Sequence, residues 1–126
     1  MPDDMPPAVG SLPVLIVDDE PAIVDLLRAV LEDEGFTVVT ASNGAAALYL
    51  IQRTPVALVL TDLMMPLVSG MDLARQLHSN SQTANIPLLL MSAAMPAQVS
   101  PIFAAVIHKP FVIDKVIDIL RQFLPE

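Results

Sequence analysis

The chain has 126 residues, which is enough for one domain with a single buried core and too few for two. Its residues are 54% hydrophobic but only 4% aromatic, so the core must be aliphatic. The formal net charge of −8 argues against a nucleic-acid or anionic-membrane surface, and the absence of cysteine excludes disulfides and thiolate metal sites.

The first dozen residues differ in composition from the rest. Residues 1–12 are rich in proline and acids, which predicts a disordered leader, and residues 13–125 are expected to form the folded domain. No apolar run approaches the length of a membrane span, and no basic segment followed by an apolar one opens the chain. We therefore expect a cytoplasmic protein that does not enter membranes.

Short apolar runs alternate with segments of helical periodicity along the rest of the chain. The runs predict strands at 14–17, 36–40, 56–61, 87–91 and 102–107, and the periodic segments predict helices at 21–34, 45–53, 71–78 and 111–123. Pro96 and Pro101 leave little room between the last two strands, so the fourth helix of a regular alternation should be short or displaced. This order predicts a doubly wound α/β fold with a flavodoxin-like, five-stranded parallel sheet of order 2-1-3-4-5.

Polar residues stand at the carboxyl end of four of the predicted strands. They are Asp18 and Asp19 after the first, Asp62 after the third, Ser92 after the fourth and Lys109 after the fifth. Ligands of open α/β sheets bind at that edge, where the strand-to-helix loops converge. Crowded carboxylates repel one another unless they share a cation, and Mg²⁺ prefers such oxygen ligands. The pattern predicts a magnesium site where a carboxylate attacks phosphorus.

Four stretches carry a resemblance to a known family. VLIVDDEP, LTDLMMPLVSG, PLLLMSA and HKPF, in this order, resemble the signatures of the receiver domain of two-component response regulators, here of the stand-alone, single-domain type. The resemblance implies that Asp62 is the phosphoacceptor, with Ser92 and Lys109 binding the phosphoryl oxygens. It implies Mg²⁺ ligands from Asp18, Asp19, Asp62 and the backbone carbonyl of Met64. It also implies a cis bond before Pro110.

The same resemblance implies a signalling role. A histidine kinase or histidine phosphotransfer protein would donate the phosphoryl group, and a downstream protein that the sequence does not identify would respond; a homodimer is also compatible. The chain would be no enzyme beyond its own phosphotransfer and slow dephosphorylation. An aspartyl phosphatase is disfavoured because Met64 replaces the second acid of those enzymes. A flavin or dinucleotide carrier is disfavoured because Asp18 and Asp19 would repel phosphate.

Two features depart from the family pattern. Val106 occupies the position, three residues before Lys109, where receivers usually carry tyrosine or phenylalanine, and the segment between Ser92 and Lys109 is shorter than usual. Both departures concern the surface that transmits the signal, not the phosphorylation chemistry. They leave open a second function, in which the domain is a docking module that works without phosphorylation.

Overall fold

The computed structural model describes residues 12–63, 65, 68–93 and 101–124. Within them, five strands and four helices follow one another along the chain. The elements are β1 (Val14–Val17), α1 (Pro21–Asp33), β2 (Val38–Ala41), α2 (Gly44–Arg53), β3 (Leu58–Asp62), α3 (Gly70–Ser79), β4 (Leu88–Ser92), β5 (Ala105–His108) and α4 (Ile113–Phe123).

The five strands form one parallel sheet in the order β2-β1-β3-β4-β5. Strands β1 and β3 are therefore neighbours although α1, β2 and α2 separate them in sequence, and Val17 stands opposite Thr61 in their register. On the other side of β3, Asp62 stands opposite Met91 of β4. The doubly wound, flavodoxin-like α/β fold predicted from the sequence is confirmed, including its strand order.

Both faces of the sheet are covered, which explains why its strands are almost entirely apolar. Val14 and Ile16 of β1 point into a core shared with α1 and α4, whereas Leu15 and Val17 point into a second core shared with α2 and α3. All four β1 residues are buried. Complete burial of such a side chain contributes about 1.5–3 kcal/mol to the stability of the fold. The two cores therefore fix the relative positions of the strand ends that carry the polar residues.

The second strand begins two residues later than the sequence predicted, because the end of α1 occupies the intervening residues. Gly35 adopts a positive φ of 94°, a conformation that favours glycine. This lets the Phe36 N–H donate to the Leu31 carbonyl at 3.0 Å, a helix-ending arrangement that satisfies a terminal carbonyl. Phe36 and Thr37 therefore belong to the cap and its exit, and β2 starts at Val38.

The connection between β4 and β5 falls mostly outside the described residues. The prediction of a short or displaced helix concerns residues 94–100 above all, and the leader prediction concerns 1–11; both sets lie outside the description. The described parts of the connection, residue 93 and residues 101–104, contain no helix. In the described parts of the chain, no helix combines the length and apolar character needed to cross a membrane.

Candidate functional site

Three carboxylates meet at the carboxyl edge of the sheet. Asp18 and Asp19 directly follow β1, and Asp62 is the last residue of the neighbouring strand β3. One oxygen from each residue can be chosen so that all three lie within 4.8 Å of one another. Asp18 and Asp62 are buried and Asp19 is exposed, so the cluster opens to solvent on the Asp19 side. The predicted convergence of these three carboxylates is confirmed.

Lys109 places an ammonium group beside these acids. It follows β5, where its backbone N–H donates to the Ser92 carbonyl at 2.9 Å, and its bond to Pro110 is cis, as the resemblance to receiver domains implied. The Lys109 Nζ lies 2.8 Å from Asp18 Oδ2 and 3.6 Å from Asp62 Oδ1. With only 13% of its side chain exposed, the lysine is an inner counter-ion of the acids.

Asp18 is the main anchor of that lysine. Its side chain is fully buried, and both of its oxygens have hydrogen-bond donors: Lys109 Nζ at Oδ2, and the Glu20 backbone N–H at Oδ1 at 2.9 Å. Pairing and hydrogen bonding are what allow a carboxylate to remain buried. Asp18 therefore orients Lys109 as well as adding negative charge to the cluster.

Asp62 is held from its backbone as well as its side chain. Its Oδ1 accepts the Leu63 N–H at 2.9 Å, and its carbonyl accepts the buried Thr61 hydroxyl at 2.9 Å. The loop after β3 returns at Gly70, whose N–H donates to the Leu63 carbonyl at 2.9 Å. A Cβ at Gly70 would collide with the Asp62 carbonyl oxygen and the Leu63 Cα, so only glycine fits this approach.

The environment shifts the pKa of Asp62 upwards. Burial is the largest cause, because desolvation disfavours the charged carboxylate, and the charge of Asp18 adds to it. The charge of Lys109 and the hydrogen bond from Leu63 oppose these effects, but the pKa stays above its ordinary value of 3.8. Additional positive charge at the site would favour the ionised form that a nucleophile requires.

The pKa of Lys109 is also raised. Burial by itself lowers it, since desolvation disfavours the ammonium. The hydrogen bond and charge of Asp18, followed by the charges of Asp62 and Glu20, outweigh that effect. The lysine is therefore cationic at neutral pH and neutralises part of the acidic cluster.

The remaining predicted site residues differ in how far the structure describes them. Ser92 ends β4 next to β3, and it is 2% exposed. Met64, whose carbonyl was the remaining metal ligand predicted, lies outside the described residues. An acid at a helix N-terminus is normally solvated, and the Glu20 side chain at the start of α1 is exposed, yet its Oε1 lies 3.8 Å from Lys109 Nζ. Its place directly after the acidic pair was the signal for this proximity.

The donor set suits a hard divalent cation. Carboxylate oxygens are the ligands that Mg²⁺ prefers, and this ion usually takes one or two protein carboxylates and completes its octahedron with water and phosphate oxygens. Asp19 is exposed and the Asp62 side chain is 12% exposed, whereas both oxygens of Asp18 already accept hydrogen bonds, from Lys109 and from the Glu20 N–H. The fold and this site together define a doubly wound α/β domain with an acidic pocket and a lysine at the carboxyl edge of its sheet.

Comparison with known proteins agrees with that class. Residues 14–121 match the response regulator receiver domain, and the chain belongs to this family. The probable transcriptional regulatory protein TcrX of Mycobacterium tuberculosis is 33% identical over 116 residues, which cover 88% of this chain and 49% of TcrX. The alkaline phosphatase synthesis transcriptional regulatory protein SphR of Synechococcus elongatus is 39% identical over 99 residues, covering 71% of this chain and 38% of SphR.

Solved structures show the same architecture. The response regulator TrrA of Thermotoga maritima, determined in complex with Mg²⁺ and BeF, gives a TM-score of 0.81 at 28% identity, with 90% of this chain and 99% of that chain covered. The chemotaxis protein CheY4 of Vibrio cholerae gives a TM-score of 0.80 at 25% identity, covering 90% and 98%. The chain spans half or less of the two curated regulators named above, but nearly the whole of these two structures.

Proposed function

We propose that Asp62 accepts a phosphoryl group in a two-component phosphorelay, and that the phosphorylated domain changes its affinity for a partner protein. The observation that carries the proposal is the meeting of Asp18, Asp19 and Asp62 within 4.8 Å, with the Lys109 ammonium bonded into the same cluster. Membership of the receiver family supports it, as does the similarity to the structure of TrrA in complex with Mg²⁺ and BeF.

In the proposed reaction, a carboxylate oxygen of Asp62 attacks the phosphorus of a phosphohistidine. A P–O bond forms, the P–N bond breaks, and the electron pair of that bond stays on the departing imidazole. Bound Mg²⁺ would shield the charge between the carboxylate and the phosphoryl oxygens. Asp19, Asp62 and the Met64 carbonyl would hold the ion directly, with Asp18 acting largely through water.

Lys109 and Ser92 would receive the transferred group. The Lys109 Nζ is 3.6 Å from the Asp62 carboxylate, so a small movement away from Asp18 brings it to a phosphoryl oxygen attached there. Ser92 ends the adjacent strand β4, from which its hydroxyl would donate to a second oxygen. The chain would act on no substrate other than itself, with slow hydrolysis of its own aspartyl phosphate.

The proposed partners follow from this chemistry. A histidine kinase or a phosphotransfer protein would supply the phosphohistidine, and a separate protein would bind the phosphorylated form. Both steps would take place in the cytoplasm, and no contact with nucleic acid or membrane is proposed because the chain carries a net charge of −8.

Incubation with acetyl phosphate and Mg²⁺, followed by intact-mass measurement, tests the proposal. The parent protein and Asp33→Asn, an exposed substitution at the far end of α1, should each gain one phosphoryl group, whereas Asp62→Asn should gain none. Equal labelling of Asp62→Asn and the parent would move the phosphoacceptor elsewhere. A parent that takes no label from acetyl phosphate or a kinase would favour the docking module that works without phosphorylation.

A further inference from the structure

The backbone of Glu20 is fixed beside the phosphoacceptor site. Its N–H donates to Asp18 Oδ1 at 2.9 Å, and Pro21 occupies the first position of α1 directly after it. Glu20 is the N-cap residue of that helix, but its side chain makes no capping hydrogen bond. The carboxylate is therefore available for contacts outside its own helix.

That carboxylate lies at the solvent side of Lys109. The Glu20 Oε1 is 3.8 Å from the Lys109 Nζ, and the Glu20 side chain is 65% exposed while that of Lys109 is 13% exposed. Asp62 Oδ1 is 3.6 Å from the same nitrogen. The two carboxylate oxygens can be no farther apart than the sum of these distances, so Glu20 places a negative charge close to the Asp62 carboxylate.

Given the phosphoacceptor role proposed above, we propose that Glu20 is a specificity-determining residue that disfavours small anionic phosphodonors at Asp62. A small donor must bring its negative charge close to the Glu20 carboxylate, and the two charges repel each other. The solvent exposure of Glu20 weakens this repulsion but does not remove it. A phosphohistidine arrives within the charge distribution of its own protein, which can offset the same repulsion. The residue would thus favour transfer from a protein donor over labelling by free acyl phosphates.

The size of the effect follows from Coulomb's law. At a separation of roughly 7 Å and a dielectric between that of a protein surface and water, screened by moderate salt, removal of one charge should accelerate reaction with a dianion about three- to tenfold. The same change should accelerate a monoanion only about two- to threefold, because the interaction energy is proportional to the charge of the donor.

Two donors of different charge make the test. Acetyl phosphate is a dianion at neutral pH, and phosphoramidate is close to a monoanion. Second-order rate constants for labelling of Asp62 would be measured with both donors at saturating Mg²⁺, for the parent, Glu20→Gln and Asp33→Asn. The last variant removes one negative charge from the same helix at its distant end. Amide spectra during Mg²⁺ titration would give the metal affinity of each variant independently of the reaction.

In Glu20→Gln, the rate constant for labelling should increase more with acetyl phosphate than with phosphoramidate, and this difference should shrink at high ionic strength. The rate constants of Asp33→Asn should change little. If Glu20 only positions Lys109, Glu20→Gln should change both donors by the same factor at every salt concentration, and that outcome overturns the inference. Unchanged rates in Glu20→Gln overturn it as well. Absence of labelling of the parent and of Glu20→Gln, both by the two small donors and by a phosphohistidine protein, would refute the phosphoacceptor role and this inference together, whereas a labelled parent isolates the failure to Glu20.

Discussion

Replacement of Lys109 by methionine should destabilise the metal-free protein by roughly 3 kcal/mol. The substitution leaves the fully buried Asp18 carboxylate without the cation that lies 2.8 Å from it. Loss of one partner of a buried pair costs about 3–5 kcal/mol. The lower end applies because Asp18 keeps the Glu20 N–H and because Lys109 is partly exposed. For a domain of this size that corresponds to a fall in Tm of roughly 10 °C.

Urea denaturation in the presence of a chelator, followed by circular dichroism, measures this loss. Lys115→Met is the matched control, since Lys115 is an exposed lysine on α4, and its free energy of unfolding should change by less than about 0.5 kcal/mol. The double variant Asp18→Asn/Lys109→Met should recover most of the stability, because the fully buried Asp18 carboxylate is then gone and Asp62 keeps its hydrogen bond from the Leu63 N–H. A single variant as stable as the parent, or a double variant no better than the single one, would refute this account of the pair.

The remaining predictions concern the two other acids and the signal route. Burial raises the pKa of Asp62, so its ionised carboxylate destabilises the folded protein at neutral pH, and Asp62→Asn should raise metal-free stability there. In melts at different pH values, this gain should shrink as the pH falls through the raised pKa and vanish below 3.8. Asp19→Asn should weaken Mg²⁺ binding yet raise metal-free stability, because it removes one of the carboxylates that repel one another. Melts with and without Mg²⁺ measure both effects, and a metal-free variant less stable than the parent would contradict the prediction. Beryllofluoride should shift amide signals from residue 92 to 104 with little change at Val106, whose β-branched side chain is stiff. If the Phe103 ring instead moves between buried and exposed positions, Phe103 takes the role of the aromatic residue that receivers usually carry at the position of Val106.

Much of the sheet could be predicted because its central strands are buried on both faces. Val14–Val17 was predicted to the residue, and the end of β3 at Asp62 coincides with the end of the apolar run. Elements with one-sided or partial burial were predicted less closely. The β5 strand begins three residues later than expected, after Ala104, whose N–H donates to the Leu88 carbonyl of β4. The α4 helix begins two residues later than expected, because Val112 is its N-cap.

The convergence of the three carboxylates and Lys109 could also be predicted, because parallel strands bring every carboxyl end to one edge whatever the details of packing. The requirement for glycine at position 70 was not predicted, since its close approach to the Asp62 carbonyl is a contact between backbones that no residue pattern reports. The contact of Glu20 with Lys109 is hard to predict for a similar reason. An acid at a helix start is normally solvated, and its pairing depends on a lysine far along the chain.

The sequence by itself determined the fold class, the strand order and the set of polar residues at the edge, since these follow from hydrophobic periodicity and from the few topologies open to alternating strands and helices. Only the tertiary structure decided how the charges pair. Lys109 bonds Asp18, 91 residues away, at 2.8 Å and stands farther from Asp62. The distances from Lys109 to the two carboxylates differ by less than an ångström, and this difference depends on packing from several elements at once. The same packing sets the desolvation that raises the pKa of Asp62, and no local pattern encodes either effect.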